Sequence, residues 1–515
     1  MISPTSPDDL LALADSILER VGRDGAEVTV VHHEEALTRF ARNQIHQNVA
    51  ESSRRIRLRL MGDKQVGVAE IRGEVDDLQG RLIAAAEAAR ELAPDGEVTP
   101  LPRPDAGPDG PVAHSPATAA CTPEWRAGQV GTVAAVSGVA GFEGFGALQT
   151  SLTQTAIANS QGVRRHAATT AASLICVARG ENGWGYADRH HHDIRRLDAE
   201  QVAQEAVETC GRNQQATALD PGVYPVVLSP CAVADLVGHL ADLGFSALAH
   251  QEHRSFMRPG ERLMSQLVSI ADDAGHPDAM PFPFDDEGVS TRGVSCIEEG
   301  VCRSFLHDSA TALREDVPST GHALPMPNTF GPCARHLVVA SGESSIDDLI
   351  AACDHGLYVT RFWYVRDVHP LRTVITGMTR DGTFVIENGR LGRPVRDLRF
   401  TQSIVDALSD VRGVGRERSI ELDESERALL VPALALGSFT FTSEPQGPTP
   451  QAARGLPHAA GGARASPRRR RRGDPCSSHR GSPPLAPVAE PHGAHPAIDA
   501  AGRVGPYVVR VCQAG

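Results

Sequence analysis

The sequence predicts an α+β protein in three parts. These are an N-terminal α/β domain over residues 1–218 with an antiparallel sheet plus helices, a strand-rich C-terminal domain over 219–443, and a disordered tail over 444–515. Three observations carry this division. Helical periods and strand runs are interspersed up to about residue 211, whereas strands and turns dominate further on. A Pro-Gly turn opening onto the apolar run from Tyr224 to Leu228 marks a boundary near 215–222. After Ser443 the hydrophobic period stops, and Pro, Gly and Arg crowd the chain.

Each element has its own signal. Residues 8–21 read as an amphipathic helix, with Leu10, Leu13, Ile17 and Leu18 on one face and Asp8 near the start. Three strands follow at about 26–35, 36–50 and 53–61, and GDKQVGVAEIRG adds another after a Gly-Asp turn. A helix covers 75–92, with Leu78, Leu82, Ala85, Ala86 and Ala89 inward. The Pro-, Gly- and Asp-rich stretch 93–118 is a loop. Residues 145–180 pair as strands about a turn at Ser160-Gln161-Gly162, and a helix over 199–211 closes the unit. The second unit opens with a helix over 232–243. Residues 284–308 give a strand, an acidic turn at Glu299-Gly300 and another strand. A short helix covers 345–352, Asp381-Gly382 and Asn388-Gly389 read as hairpin turns, and 401–408 reads as a helix.

Composition narrows the function classes. With 41% hydrophobic residues in 515, most of the chain is globular. No run approaches 18 apolar residues, so no membrane span is expected. The acidic N-terminus lacks the basic start and apolar core of a signal peptide. The ten cysteines are scattered singly with no C-x-x-C, which points to reduced thiols in a cytoplasm. The net charge of −14 is unevenly spread: from Glu444 on, ten Arg face four acidic residues, leaving +6 there and −20 on the body. An acidic body argues against non-specific nucleic-acid binding. Any RNA or phosphate contact would fall to the tail run Arg468, Arg469, Arg470, Arg471 and Arg472. Dinucleotide, P-loop, G-x-S-x-G and kinase motifs are all missing.

Several segments together resemble a known family. They are TRFARNQIHQNVAESSRRIRLRLMGDKQVGVAEI (38–71), PFPFDDEGVSTRGVSCIEEGVCRSFLHD (281–308), STGHALPMPN (319–328), LYVTRFWYVRDVHPLRTVITGMTRDGTFVIENGRLGRPVRDLRFTQS (357–403) and VPALALGSFTFTS (431–443). In order and spacing they resemble the TldD/PmbA family, and more its PmbA (TldE) branch; the tail has no counterpart. The resemblance implies a cytoplasmic peptidase complex. In it a TldD-type subunit carries zinc, pairs as a heterodimer with a TldE-type subunit that does not, and trims peptides held in extended form.

Zinc hydrolysis needs three protein ligands, an open position for water and a carboxylate base. The resemblance implies that the TldD type supplies two ligands and the base from His-Glu-x-x-x-His on one helix, and the third ligand from a late cysteine. The matching helix here is CAVADLVGHLADLG, where His239 precedes Leu240 and where Leu243 or Gly244 stands in place of a second histidine. Residues 418–443 contain no cysteine. No cofactor is therefore expected in this chain, and zinc is expected on a TldD-like partner.

Other candidates are weighed beside this. His250, Glu252 and His253 form HQEH, which is neither HExxH nor its reverse, in a stretch that reads as strand or loop. His250 and His253, with His322, are the alternative, displaced zinc ligands. Arg189-His190-His191-His192-Asp193 reads as a solvated loop, and Asp285-Asp286-Glu287 as a charged turn. Ser319, Thr320, Gly321 and His322 are candidates for binding a peptide or a partner, Gly321 permitting close backbone approach. Arg361 and Arg380, with Arg366 and Arg372, are candidates for pairing with a peptide carboxylate or a partner. Three readings follow: a non-catalytic TldE-like subunit, a metallopeptidase with a displaced site, or a peptide-binding module without catalysis.

Overall fold

The computed structural model describes residues 6–73, 77–105, 110–423, 427–443 and 508–511. It shows the α+β architecture. The N-terminal half is built on one antiparallel sheet from β1 (Ala26–Ala41), β2 (Gln44–Met61), β3 (Val66–Arg72), β4 (Glu143–Asn159), β5 (Arg164–Arg179) and β6 (Trp184–His191). Their spatial order is β3-β2-β1-β4-β5-β6. Beyond β3, Val508–Val511 adds a parallel strand, so these four residues of the expected disordered tail are extended: their β-branched run meets an open sheet edge. The arginine run at 468–472 lies outside the described residues.

Helices α1 (Pro7–Val21), α2 (Leu78–Leu92), α3 (Pro116–Ala119), α4 (Pro123–Val139) and α5 (Ala199–Arg212) cover this sheet. Ser6 and Asp9 form a capping box on α1, and Gly22 closes it in the left-handed conformation. Its Leu10, Ala14 and Ile17 are buried against the sheet core. The three strands expected over 26–61 are two. Arg42 and Asn43, both at positive φ, turn β1 into β2, and Ser52 and Ser53 stay paired opposite Glu34 and His33. Continuous cross-strand pairing overrides the polar ESS sequence that suggested a break. The long helix α4 had no expectation. Its inward face is Arg126, Val130, Val133 and Ser137, a mixture that hides the apolar period.

In the C-terminal half, five strands close into a ring: β7 (Gly222–Leu228), β12 (His355–His369), β13 (Val374–Glu387), β15 (Arg399–Ser403) and the second half of β17 (Ala428–Ser443), which returns to β7. The intervening strands are β8 (Ile270–Asp272), β9 (Val294–Glu298), β10 (Val301–Cys302), β11 (Leu337–Val339), β14 (Arg390–Val395) and β16 (Val411–Leu422). The helices are α6 (Pro230–Gly244), α7 (Ala247–Gln251), α8 (Ser309–Glu315), α9 (Ile346–Ala351) and α10 (Ile404–Ser409). Phe362, Phe400, Phe439 and Phe441 belong to the buried core of this half. Centroids are 4.6 Å apart for Phe362 and Phe400 and 5.3 Å for Phe400 and Phe439.

Two local expectations change. Asp381-Gly382 is no hairpin turn. Both residues have positive φ, but they sit inside continuous β13, where the register with β12 shifts. Of the helix expected over 401–408, residues up to Ser403 belong to β15, because Thr376 and Gly377 pair with Thr401 and Phe400. Among the described residues no helix is long and apolar enough to cross a membrane.

Candidate functional site

A cleft of about 730 Å³ opens where the two halves meet. One wall is Tyr186, Asp188 and Arg189 of β6 with Gln201, Glu205 and Glu208 of α5. The other wall holds the start of α6 (Ser229, Pro230, Cys231) and Glu417, Ser419 and Glu421 of β16. Ile346, Tyr358, Phe384 and Leu391 add an apolar surface. Alternation builds the first wall: Tyr186, Asp188 and His190 lie two apart on β6 and share a face. The Tyr186 hydroxyl donates to Asp188 Oδ2 at 2.7 Å, and His190 Nε2 meets the same oxygen at 2.9 Å.

The two buried carboxyls of this cleft are pushed apart electrostatically. Burial works to raise Asp188, but His190, the Tyr186 hydroxyl and Arg189 outweigh it and hold its pKa below the ordinary value. Burial first, then the Asp188 charge, pushes Glu421 well above the usual carboxylate range. Glu421 is only 6% exposed; its Oε1 accepts from the Ser419 hydroxyl, while Oε2 has no hydrogen-bond partner. Burial also pushes the Cys231 thiol well up, so it is protonated. Arg361 stands behind this wall, 4.0 Å from the Tyr186 ring centre and 3.0 Å from Asp381.

The residues singled out in the sequence are dispersed. On α6, His239 Nδ1 lies 3.0 Å from Asp367 Oδ1, and Leu240, Leu243 and Gly244 point into the core. A carboxylate base and a second imidazole have no place on that helix. His250 lies on α7, not in a strand or loop, because Ser246 starts a helical turn whose carbonyl accepts from His250 N. Its ring stacks on Phe305 at 4.3 Å, His253 falls in a left-handed turn past the helix end, and Glu252 is held by Arg254. Among the described residues no three His, Cys, Asp or Glu side chains converge as a metal ion requires. The residues present on α6 thus do not match the His-Glu-x-x-x-His that the resemblance implies for a TldD-type site.

Arg189, His190 and His191 are strand residues of β6, not a solvated loop, since they pair with Leu174, Ser173 and Ala172 of β5. The acidic run is likewise more buried than a charged turn. Asp285 accepts from the backbone of Glu287, Val289 and Ala323, Asp286 pairs with Arg335, and Glu287 lies 3.6 Å from Arg59. The hydroxyls of Ser319 and Thr320 both reach the His307 carbonyl, and Gly321 at φ 73° packs against the Ser290 backbone. His322 is fully buried, with Nδ1 2.9 Å from Thr320 Oγ1 and Nε2 3.1 Å from Asp272 Oδ1. The series has the order of a hydroxyl–imidazole–carboxylate triad, but it fills the interior between β8 and the 319–322 loop. Arg380 stacks on Trp363 at 4.1 Å and Arg366 on Tyr364 at 4.5 Å, while Arg372 is exposed on the short turn after β12. Tyr186, Asp188, Cys231 and Glu421 were not anticipated; the period-two string Tyr-x-Asp-x-His in β6 was the available signal.

Comparison with known proteins assigns the family. The PmbA/TldA metallopeptidase central domain matches residues 74–213, and the PmbA/TldA metallopeptidase C-terminal domain matches 221–443. A metalloprotease TldD homolog of Haemophilus influenzae is 27% identical over 237 residues, covering 43% of this chain and 46% of the relative. A metalloprotease of Archaeoglobus fulgidus is 30% identical over 174 residues, covering 32% and 38%. The chain thus spans about half or less of the length of these curated relatives. The crystal structure of TldE from Thermococcus kodakarensis superposes with a TM-score of 0.75 at 20% identity, over 85% of this chain and 99% of that one, which shows a common fold. With both domains matched in sequence and the architecture shared, the chain belongs to the PmbA/TldD metallopeptidase family.

Proposed function

We propose that this chain is the non-catalytic, TldE-like subunit of a TldD/TldE-type zinc metallopeptidase. It would pair with a TldD-like subunit that carries the zinc and would help hold an extended peptide, in the cytoplasm. The reading rests on α6. Where the TldD type has His-Glu-x-x-x-His, this helix has His239-Leu240 and then Leu243-Gly244, three of them packed in the core. A base and ligand could be restored there only by unpacking the helix. Eight unpaired cysteines among the described residues fit a reducing compartment. For contact with peptide or partner, Arg361 and Arg380 of the β12–β13 pair are the proposed groups, while Ser319, Thr320, Gly321 and His322 would act by fixing their own loop.

The test is reconstitution. Purified chain alone should show no chelator-sensitive cleavage of an unstructured peptide, and cleavage should appear on adding a TldD-like subunit. Activity from this chain alone, lost in Glu252→Gln, would sink the reading.

A further inference from the structure

The cleft contains a feature that subunit pairing does not require. Glu421 is more than nine-tenths buried on the cleft wall, and its Oε2 has no hydrogen-bond partner. Leaving a buried carboxyl oxygen unmatched forfeits its hydration without replacing it, so the position needs a reason. Neighbouring cations do not supply the partner. The Arg189 guanidinium is used by Glu205 and by the Asp188 carbonyl. Arg418 lines the cleft, but its guanidinium engages His276 and the Val339 carbonyl, and Arg361 is taken by Asp381 and the Tyr186 ring. Asp188 is 11% exposed on its side chain and has a neutral donor in Tyr186 and an imidazole in His190. Along the same cavity, Ile346, Tyr358, Phe384 and Leu391 offer apolar surface that an aliphatic stem would cover.

We propose that this cleft binds a cationic group of a peptide, a primary ammonium or a guanidinium, between Asp188 and Glu421, with the adjoining stem on Ile346, Tyr358 and Phe384. That the ligand is a peptide rests on the function proposed above; the binding of a cation does not. Glu205, Glu208 and Glu417 line the cleft beside Arg189, Arg212 and Arg418, so the hold on the cation falls to Asp188 and Glu421 rather than to the rim. In the chain by itself burial and the Asp188 charge both favour the protonated form of Glu421. A cation seated beside it favours the carboxylate, so the proton leaves to solvent as the ion pair forms.

Titration of the chain alone by calorimetry tests this, independently of any zinc-bearing partner. The probes are penta-alanine amide with a free N-terminus, its N-acetylated twin, and N-acetylated versions with a central Lys or Arg. At least one cationic probe should bind about tenfold tighter than the neutral twin, and which one does so separates terminal ammonium from side-chain recognition. The preference should persist in about 0.5 M salt, where attraction to the general acidic surface is screened away. Glu421→Gln and Asp188→Asn should each bring cationic and neutral probes within about twofold while leaving the thermal midpoint of folding within a few degrees. Equal affinities, a preference lost in salt, no binding of any probe, or an unchanged preference in the two folded variants would each overturn the proposal. If neither variant folds, the preference of the unmodified chain at high salt still decides.

Discussion

Single buried charges do much of the positioning, and Arg427 illustrates how. Its guanidinium lies 2.8 Å from Asp242 on α6, donates to Asp423 and reaches the Gly238 carbonyl, tying that helix to the approach of β17. Arg427→Ala should remove the guanidinium that pairs with Asp423, itself 7% exposed on its side chain, and cost about 3–5 kcal/mol in urea unfolding. His336 makes a prediction in pH. Burial lowers its pKa to about 4 from 6.5, against the pull of Asp272 and with Arg335 and His322 adding to the fall. The unfolded chain takes up that proton first as pH drops, so stability is lost between about 6.5 and about 4. The loss from this group is at most about 3–4 kcal/mol. His336→Phe should show a smaller drop between pH 7 and 4 than the parent; an equal drop would rule His336 out as a source. At this scale the sequence was least legible. Whether His322 faces a ligand or the interior depends on Asp272, about fifty residues away, and no local pattern carries that.

Among elements, contacts between helix and sheet depend on glycines where backbones touch. A Cβ on Gly185 of β6 would stand 2.0 Å from the Ala206 carbonyl and 2.4 Å from Cys210 N of α5. Gly67 of β3 plays the same part beneath α2, where a Cβ would meet the Ala86 carbonyl at 2.3 Å. Gly185→Ala should lift α5 from the sheet, cost about 3 kcal/mol, and disturb the cleft wall carrying Glu205 and Glu208; a shift in thermal midpoint reads the first effect. Periodic elements with clear caps, such as α1 and α5, were legible. The helix α4 was not, because Arg126 and Ser137 face inward where apolar residues were sought. Asp381-Gly382 has the composition of a hairpin turn, yet the flanking strand continues: pairing with β12 on either side makes it a bulge. Turn chemistry fixes the local dihedrals and leaves the onward path of the chain to tertiary partners.

For the whole molecule, the α+β class and its shift from mixed to strand-rich were legible, since periodicity and composition sum over many residues and tolerate local error. The cleft was not, because it is made by β6, α6 and β16, which only the assembled fold brings together. The ring of β7, β12, β13, β15 and β17 has a further consequence. Its members are flanked on both sides, so that part of the protein offers no vacancy to a guest strand. A visiting chain that needs main-chain partners must seek a margin, and β6, which among the described residues pairs with β5 alone, is a margin that borders the cleft. Amide exchange should therefore be slowest around the ring and faster along β6, with protection rising on β6 when peptide is added.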